Sequence, residues 1–269
     1  MSCMTLTLAT TTPGEPEIFA SLQGEGRSAG LPCTFVRLSR CNLACTWCDT
    51  AYSWRFEGDN RPHRDDVTFE RKANQVVLSE EDVAARIMAL GGNRLVITGG
   101  EPLLQGAQLA RMVALLPRAG GGLRLDQREE ARGSRLRGDS ILIEIETNGT
   151  VAPHPALAPL VDQYNVSPKL KHSGNPAEIA LLSERLHGWK NEPKANFKFV
   201  ISAPEDLAEV LQLQADFAIP STRIQLMPEG TTSAVIRDRS AWLAPLAVDH
   251  GLGFSDRLHI HLYGDTRGT

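Results

Sequence analysis

Three cysteines lie within eight residues, at Cys41, Cys45 and Cys48, and no other stretch of the chain carries as strong a chemical signal. Spaced by three residues and then two, their thiolates can close around one inorganic centre. A tetrahedral zinc site takes four protein ligands, and no convincing fourth follows. His63 comes 15 residues after Cys48 in a polar stretch and is expected to face solvent. Three thiolates suit an iron–sulfur cube in which one iron is left open to another molecule.

Holding such a loop takes a sizeable core, and the 269 residues are enough for one α/β domain. Hydrophobic residues make up 42% and charged residues 22%, with a formal net charge of −4, so the composition is globular and gives no reason to expect nucleic-acid binding. No apolar run approaches the roughly 18 residues of a membrane span. The first residues lack a basic start and an apolar stretch, which argues against a secretory signal. Five cysteines, three of them bunched, make no disulfide framework and fit a reducing cytoplasm. Cys33 reads as a core residue and Cys3 as part of a frayed terminus.

Strands and helices alternate. Strands are expected over 33–39, 94–98, 141–147, 164–167, 196–202, 223–227 and 257–262. Helices are expected over 79–90, 104–116, 176–187, 204–216 and 233–248. Ser79 followed by Glu80, Glu81 and Asp82 marks a capped helix start, and Gly91-Gly92 marks its stop. This rhythm predicts a parallel sheet with right-handed crossovers. About six β/α units fall short of the eight of a closed TIM barrel, so a partial, open barrel forming a single domain is expected. Residues 52–74 read as a loop with a short helix or hairpin. Residues 119–140 mix glycines with charges of both signs and read as a solvated insertion.

In such folds the loops after the strands carry the chemistry. Here those loops hold the cysteines, Thr98-Gly-Gly-Glu-Pro102, Glu146-Thr-Asn-Gly149, Ser167-Pro-Lys169 and Met227-Pro-Glu-Gly230. Strand parity turns Phe35, Arg37 and Ser39 inward, together with Glu144, Glu146 and Lys198. Charges inside a barrel need partners or a polar ligand. Arg37 either neutralises a core glutamate or grips a carboxylate with its fork of donors, and both hold if Glu144 or Glu146 only orients it.

The cysteine loop followed by Gly-Gly-Glu-Pro resembles radical S-adenosylmethionine enzymes. Within them the chain is similar to the 7-carboxy-7-deazaguanine synthase family, from about Glu17 onward. Ser21-Leu-Gln-Gly-Glu-Gly26 is shared with related radical-activating enzymes, and the narrower likeness rests on Cys48-Asp-Thr50, Ser167-Pro-Lys169 and His259-Ile-His-Leu-Tyr-Gly264. The resemblance implies that Cys41, Cys45 and Cys48 hold a [4Fe–4S] cluster whose open iron chelates S-adenosylmethionine. It places Trp47, Gly100, Ser167, Pro168 and Lys169 at that cofactor, with the turn Met227, Pro228 and Glu229, and has Gly99 and Gly100 admit its methionine part. It implies 6-carboxy-5,6,7,8-tetrahydropterin as substrate, contracted to 7-carboxy-7-deazaguanine with loss of ammonia for queuosine or deazapurine biosynthesis. Leu22, Gln23, Gly24, Arg37 and Thr98 match the substrate-contacting positions, Thr50 the Mg2+ ligand, and Thr269 a terminal residue reaching substrate. Asp49 either orients a water or holds the loop. A flavodoxin or ferredoxin electron donor and a homodimer are expected. The chain departs from the family at Leu226-Met-Pro-Glu229 and at Tyr263.

Two other functions share part of this signal. An enzyme that activates a protein partner as a glycyl radical would carry the same cluster and Gly-Gly-Glu-Pro, but Arg37 and the short accessory regions favour a small substrate. A zinc or electron-transfer module would need the missing fourth ligand.

Overall fold

The structure is a computed structural model that describes residues 5–117 and 140–269. The charged stretch expected to be an insertion, apart from Ser140, and Cys3 lie outside the described residues.

Eleven strands form one sheet: β1 Thr5–Thr12, β2 Glu15–Pro16, β3 Ile18–Leu22, β4 Pro32–Leu38, β5 Gln75–Ser79, β6 Arg94–Gly99, β7 Leu142–Thr147, β8 Gln163–Val166, β9 Ala195–Ile201, β10 Ile224–Pro228 and β11 Gly253–Phe254. From β11 through β10, β9, β8, β7 and β6 to β4 every pairing is parallel. The path then continues to β1 and β2 without returning to β11, so the barrel is open, as the strand count required.

The helices are α1 Arg71–Asn74, α2 Glu80–Leu90, α3 Gly106–Ala114, α4 Ala177–Ala180, α5 Ser183–Asn191, α6 Asp206–Phe217, α7 Ser233–Asp249 and α8 Leu258–Tyr263. The α2 start follows its sequence: Ser79 Oγ accepts from the Asp82 N–H, and three acids in the first turn complement the helix dipole. Gly91, at φ 71°, ends it.

Several elements differ from the sequence reading, and residues 52–74 match it in form but are more buried than their polar composition suggests. The N-terminal β1, β3 and β5 were not expected. They pair antiparallel around β4 and close one edge of the sheet. The helix expected over 176–187 breaks at Leu181 into α4 and α5, and α5 runs on to seat Trp189 against Tyr164, rings 5.0 Å apart. The terminal strand expected over 257–262 is helix α8, ended by Gly264 at φ 72°. His-Ile-His-Leu alternates like a strand, but Ile260 alone is buried there, which one helical turn achieves. Residues 52–74 are loop with short helices, yet Tyr52, Trp54, Arg55 and Phe56 are buried.

Each parallel strand buries two faces. Val36, Ile97, Ile145, Val166 and Phe199 point to one side and pack with Val83, Leu109, Val210 and Leu243 of the helices. The alternate residues, including Arg37, Glu144, Glu146, Asn165 and Lys198, point to the other side and into the barrel. Ser39 was expected to share that face. It lies beyond the end of β4, donates to Ser53 O and accepts from Gln75, away from the cavity described below.

Candidate active site

β4 delivers the cysteine loop. Arg40 takes a left-handed conformation, φ 83°, which turns the chain out of the sheet just before Cys41. The end of β6 lies against this turn: Gly100 N donates to Leu38 O at 3.1 Å and Glu101 N to Arg40 O at 2.8 Å. A Cβ on Gly99 would sit 2.1 Å from Leu38 O, and one on Gly100 2.1 Å from Arg40 O. These glycines are demanded by the approach of β6 to β4, the first contact any side chain would meet there, rather than by a cofactor alone.

Glu101, fully buried, ties its own loop to the one after β7. Its carboxylate accepts from Leu103 N at 3.0 Å, Asn148 N at 2.7 Å and Thr147 Oγ1 at 2.9 Å. Burial pushes its pKa from 4.5 to about 7 against those donors. The Glu of Gly-Gly-Glu-Pro is thus a brace, absent from the cavity wall.

One cavity of about 430 Å³ fills the barrel mouth. Cys41, Cys45 and Cys48 all line it. Burial raises the Cys41 thiol to about 12 and the Cys45 thiol to about 11, and it raises Cys48 as well. Cys45 is buried and Cys41 and Cys48 are half-buried, and thiols so raised ionise only against added positive charge, which a bound metal core supplies. Among the described residues no three His, Cys, Asp or Glu side chains converge on a single ion, so the thiols fit a larger core better than one zinc.

The residues expected at the cofactor gather around the cysteines. Trp47, Gly100, Ser167, Lys169, Met227 and Pro228 line the same cavity, whereas Pro168 is buried behind the wall. Trp47 stacks on His172 with centroids 5.6 Å apart, and Lys169 Nζ lies 5.8 Å over its ring and 2.8 Å from Ser167 Oγ. Glu229 also reaches the wall, but its carboxylate is taken by Arg64 at 2.7 Å and by Arg239. It is therefore a tether for the 226–230 turn.

The residues expected at the substrate line the remainder. Leu22, Gln23, Gly24, Arg37, Thr98 and Thr269 all reach the cavity, with Thr50 beside the cysteines. Arg37 and Thr98 are register partners on β4 and β6. Arg37 is oriented by neither Glu144 nor Glu146, the two candidates of the sequence; the core glutamate it meets is Glu17. Its Nε donates to Glu17 at 2.8 Å, and Glu17, with no exposed surface, also accepts from Tyr52 OH at 2.9 Å. Burial disfavours the Arg37 charge, but Glu17 reverses that and raises its pKa. Its two terminal nitrogens have no partner among the described residues. Glu144 is instead satisfied by Arg94, Ser28, Gln23 and Asn165 at 2.6–2.8 Å. Gln23 Nε2 thus braces the two glutamates as it lines the wall.

Asp49 holds the loop: it pairs with Arg257, which also donates to Glu25 at 3.0 Å. Glu25 receives Lys198 Nζ at 2.5 Å, and Lys198 reaches Glu146 at 2.9 Å. Burial opposes ionisation of Glu25, yet Lys198 and Arg257 together hold its pKa below the carboxylate range. For Glu146 burial wins over Lys198 and the pKa rises. His259 packs on Gly24, where a Cβ would meet its Nδ1 at 2.1 Å. Burial lowers the His259 pKa. Thr50 Oγ1 lies 3.6 Å from Cys48 Sγ.

Sequence reasoning gave no role to Glu17, Arg257, Trp54 or Asn175. None sits in a recognisable motif; Asn175 and Arg257 act through partners more than 100 residues away, Glu17 through one 20 residues away, and Trp54 through Cys48, six residues before it. His63 was expected in solvent. Its side chain is instead 4% exposed, with Nε2 2.8 Å from Cys48 O.

An open parallel barrel with a three-cysteine loop after its first parallel strand defines the radical S-adenosylmethionine fold, and the sequence profile of the Radical SAM superfamily matches residues 36–210. Such enzymes take a [4Fe–4S] cluster and S-adenosylmethionine as cofactors, and this chain is one of them. A 7-carboxy-7-deazaguanine synthase of Pyrobaculum aerophilum is 34% identical over 94% of this chain and 95% of its own. One from Halobacterium salinarum is 30% identical over 94% and 91%. The crystal structure of QueE from Escherichia coli superposes with a TM-score of 0.56 at 26% identity, covering 94% and 95% of the two chains. The chain belongs to the 7-carboxy-7-deazaguanine synthase family. No helix among the described residues is long and apolar enough to cross a membrane.

Proposed function

We propose that this chain contracts 6-carboxy-5,6,7,8-tetrahydropterin to 7-carboxy-7-deazaguanine with loss of ammonia, as a step of queuosine biosynthesis. One observation carries the reading at residue level. The three cysteines and a partly free arginine line the same cavity of about 430 Å³. When bound, the cluster and S-adenosylmethionine supply a carbon radical able to take a hydrogen atom from substrate.

The chain's own residues bind and orient. Arg37 offers its terminal nitrogens to the substrate carboxylate, while Glu17 and Tyr52 fix its Nε edge. Thr98 stands beside it. Gln23 and the Glu25, Glu146 and Lys198 lattice present a polar wall to the pterin ring. Leu22, Gly24 and Thr269 line the same cavity. Ser167, Lys169, Trp47 and the Met227-Pro228 backbone receive S-adenosylmethionine, and Gly100 leaves room beside Cys41. Thr50 would supply one oxygen to a Mg2+ ion bound with substrate. Cys41, Cys45 and Cys48 hold the cluster.

A one-electron donor of the flavodoxin or ferredoxin type, a homodimer and a cytoplasmic location complete the proposal. They follow from family likeness and from the needs of a reducible cluster. Residues 1–269 act as a single domain.

The test supplies 6-carboxytetrahydropterin and S-adenosylmethionine to the reconstituted, reduced enzyme and follows products by mass spectrometry. Formation of 7-carboxy-7-deazaguanine supports the proposal. Release of 5′-deoxyadenosine without that product would refute it.

A further inference from the structure

Two side chains from outside the cysteine loop aim N–H groups at its sulfurs. Trp54 Nε1 lies 3.3 Å from Cys48 Sγ, and Asn175 Nδ2 lies 3.3 Å from Cys45 Sγ. Neither residue belongs to a motif of the sequence, and Asn175 is 130 residues from its cysteine.

Trp54 is 5% exposed, and Cys48 Sγ is the sole acceptor for its indole N–H among the described residues. A buried donor left unpaired costs about 1–3 kcal/mol, so this contact accounts for the orientation of the ring. The ring is held from two sides. Arg61 lies 4.6 Å over it, and the His63 ring meets it edge-on at 6.5 Å. His63 in turn lies 2.8 Å from Cys48 O. The segment that read as a polar loop therefore covers Cys48.

The Asn175 amide is oriented by its neighbours. Ala44 N–H donates to Oδ1 at 2.8 Å, so the oxygen faces Ala44 and the NH2 faces the sulfur. The second amide hydrogen goes to Ser173 Oγ at 3.1 Å. The loop carrying Asn175 is pinned to the cysteine loop, since Thr46 N donates to Ser173 O at 2.9 Å. A Cβ on Gly174 would come 2.6 Å from Thr46 Cγ2.

Cys41 is treated differently. Its contact is longer: one Asn148 Nδ2 hydrogen goes to Asn42 Oδ1 at 3.1 Å, and the nitrogen lies 3.9 Å from the Cys41 sulfur, against 3.3 Å at the other two cysteines.

Hydrogen bonds to ligand sulfurs draw electron density from the irons and ease reduction of a cluster. The geometry points to Trp54 and Asn175 as positioning residues that set the cluster's reduction potential, Trp54 through Cys48 and Asn175 through Cys45. The inference rests on the family's cluster and is independent of which substrate fills the cavity.

The test is an EPR-monitored redox titration of reconstituted enzyme. Trp54→Phe keeps the ring and removes the N–H. Asn175→Asp keeps the acceptor for Ala44 and removes the donor. At the potential where half of the wild-type clusters are reduced, the reduced-to-oxidised ratio is expected to fall about tenfold in each variant. For a one-electron couple that is ~59 mV. An unchanged ratio in both variants, at full iron loading, overturns the proposal. Wild-type enzyme labelled with 15N-tryptophan gives a readout that does not depend on the variants loading iron. Pulsed EPR of its reduced cluster is expected to show a 15N coupling, and absence of that coupling also overturns the proposal.

Discussion

The two faces of the parallel sheet both carry buried side chains and are built from opposite chemistry. On β7, Ile143 and Ile145 are fully buried under the helices, and Glu144 between them is fully buried inside the barrel. On β9, Phe197 and Phe199 flank Lys198 in the same way. The outer face is held by apolar area removed from water, and its residues are interchangeable if volume is kept. The inner face is held by mutual satisfaction. Each charge there has a named partner, and removal of one leaves another stranded. Burial alone thus does not separate scaffold from site; the partner of each buried group does.

The largest break in this comparison is Lys198→Met. It leaves Glu25 and Glu146 without their shared cation and is expected to cost about 3–5 kcal/mol, read as a fall in the denaturation midpoint. Adding Glu146→Gln should recover part of the loss. A double variant no better than the single would mean that volume, not charge, governs this face.

Glu101 sits at the rim between the faces and titrates. Its folded pKa is raised from 4.5 to about 7, so its contribution to stability is greatest below pH 4.5 and is lost as pH rises through 7. Glu101→Gln removes that dependence. The stability of wild type relative to the variant is expected to fall by roughly 3 kcal/mol over that window and to stay flat above pH 8. A difference constant with pH would remove burial as the cause.

The smallest effect belongs to the outer face. Phe199→Leu nearly conserves volume against a helix-packed neighbour and is expected to cost less than about 1.5 kcal/mol, with KM for substrate unchanged. A change in KM would show that the two faces are coupled.

Period-two patterns made β4, β6, β7 and β9 legible in the sequence, and with them the inward turn of Arg37, Glu144, Glu146 and Lys198. The three-cysteine loop was legible from spacing, and family likeness brought its neighbours to one cavity wall. Thr5–Thr12 was not read as a strand, because its threonines mask Leu6 and Leu8 as a buried pair. The alternation of His259 to Leu262 imitated a strand because one helical turn is too short for its period to show. That Arg37 meets a core glutamate is legible from parity, but which glutamate is not. Parity gives the direction of a side chain, but Glu17 meets Arg37 through the antiparallel β3–β4 edge, which no local pattern announced. Asn175 has no sequence signal because it reaches Cys45 across 130 residues, and Trp54, though six residues from Cys48, lies in a stretch that reads as a polar loop.

The most direct test of the inner face as a substrate site is the double variant Glu17→Gln, Arg37→Gln. It removes the buried pair together and so strands neither charge. Its rate of deazaguanine formation and its rate of S-adenosylmethionine cleavage without substrate would be measured side by side. The expected result is loss of product at least 100-fold with uncoupled cleavage retained, the scale of a lost positioning contact. Equal loss of both rates, with the cluster intact, would contradict the assignment and make Arg37 part of the scaffold.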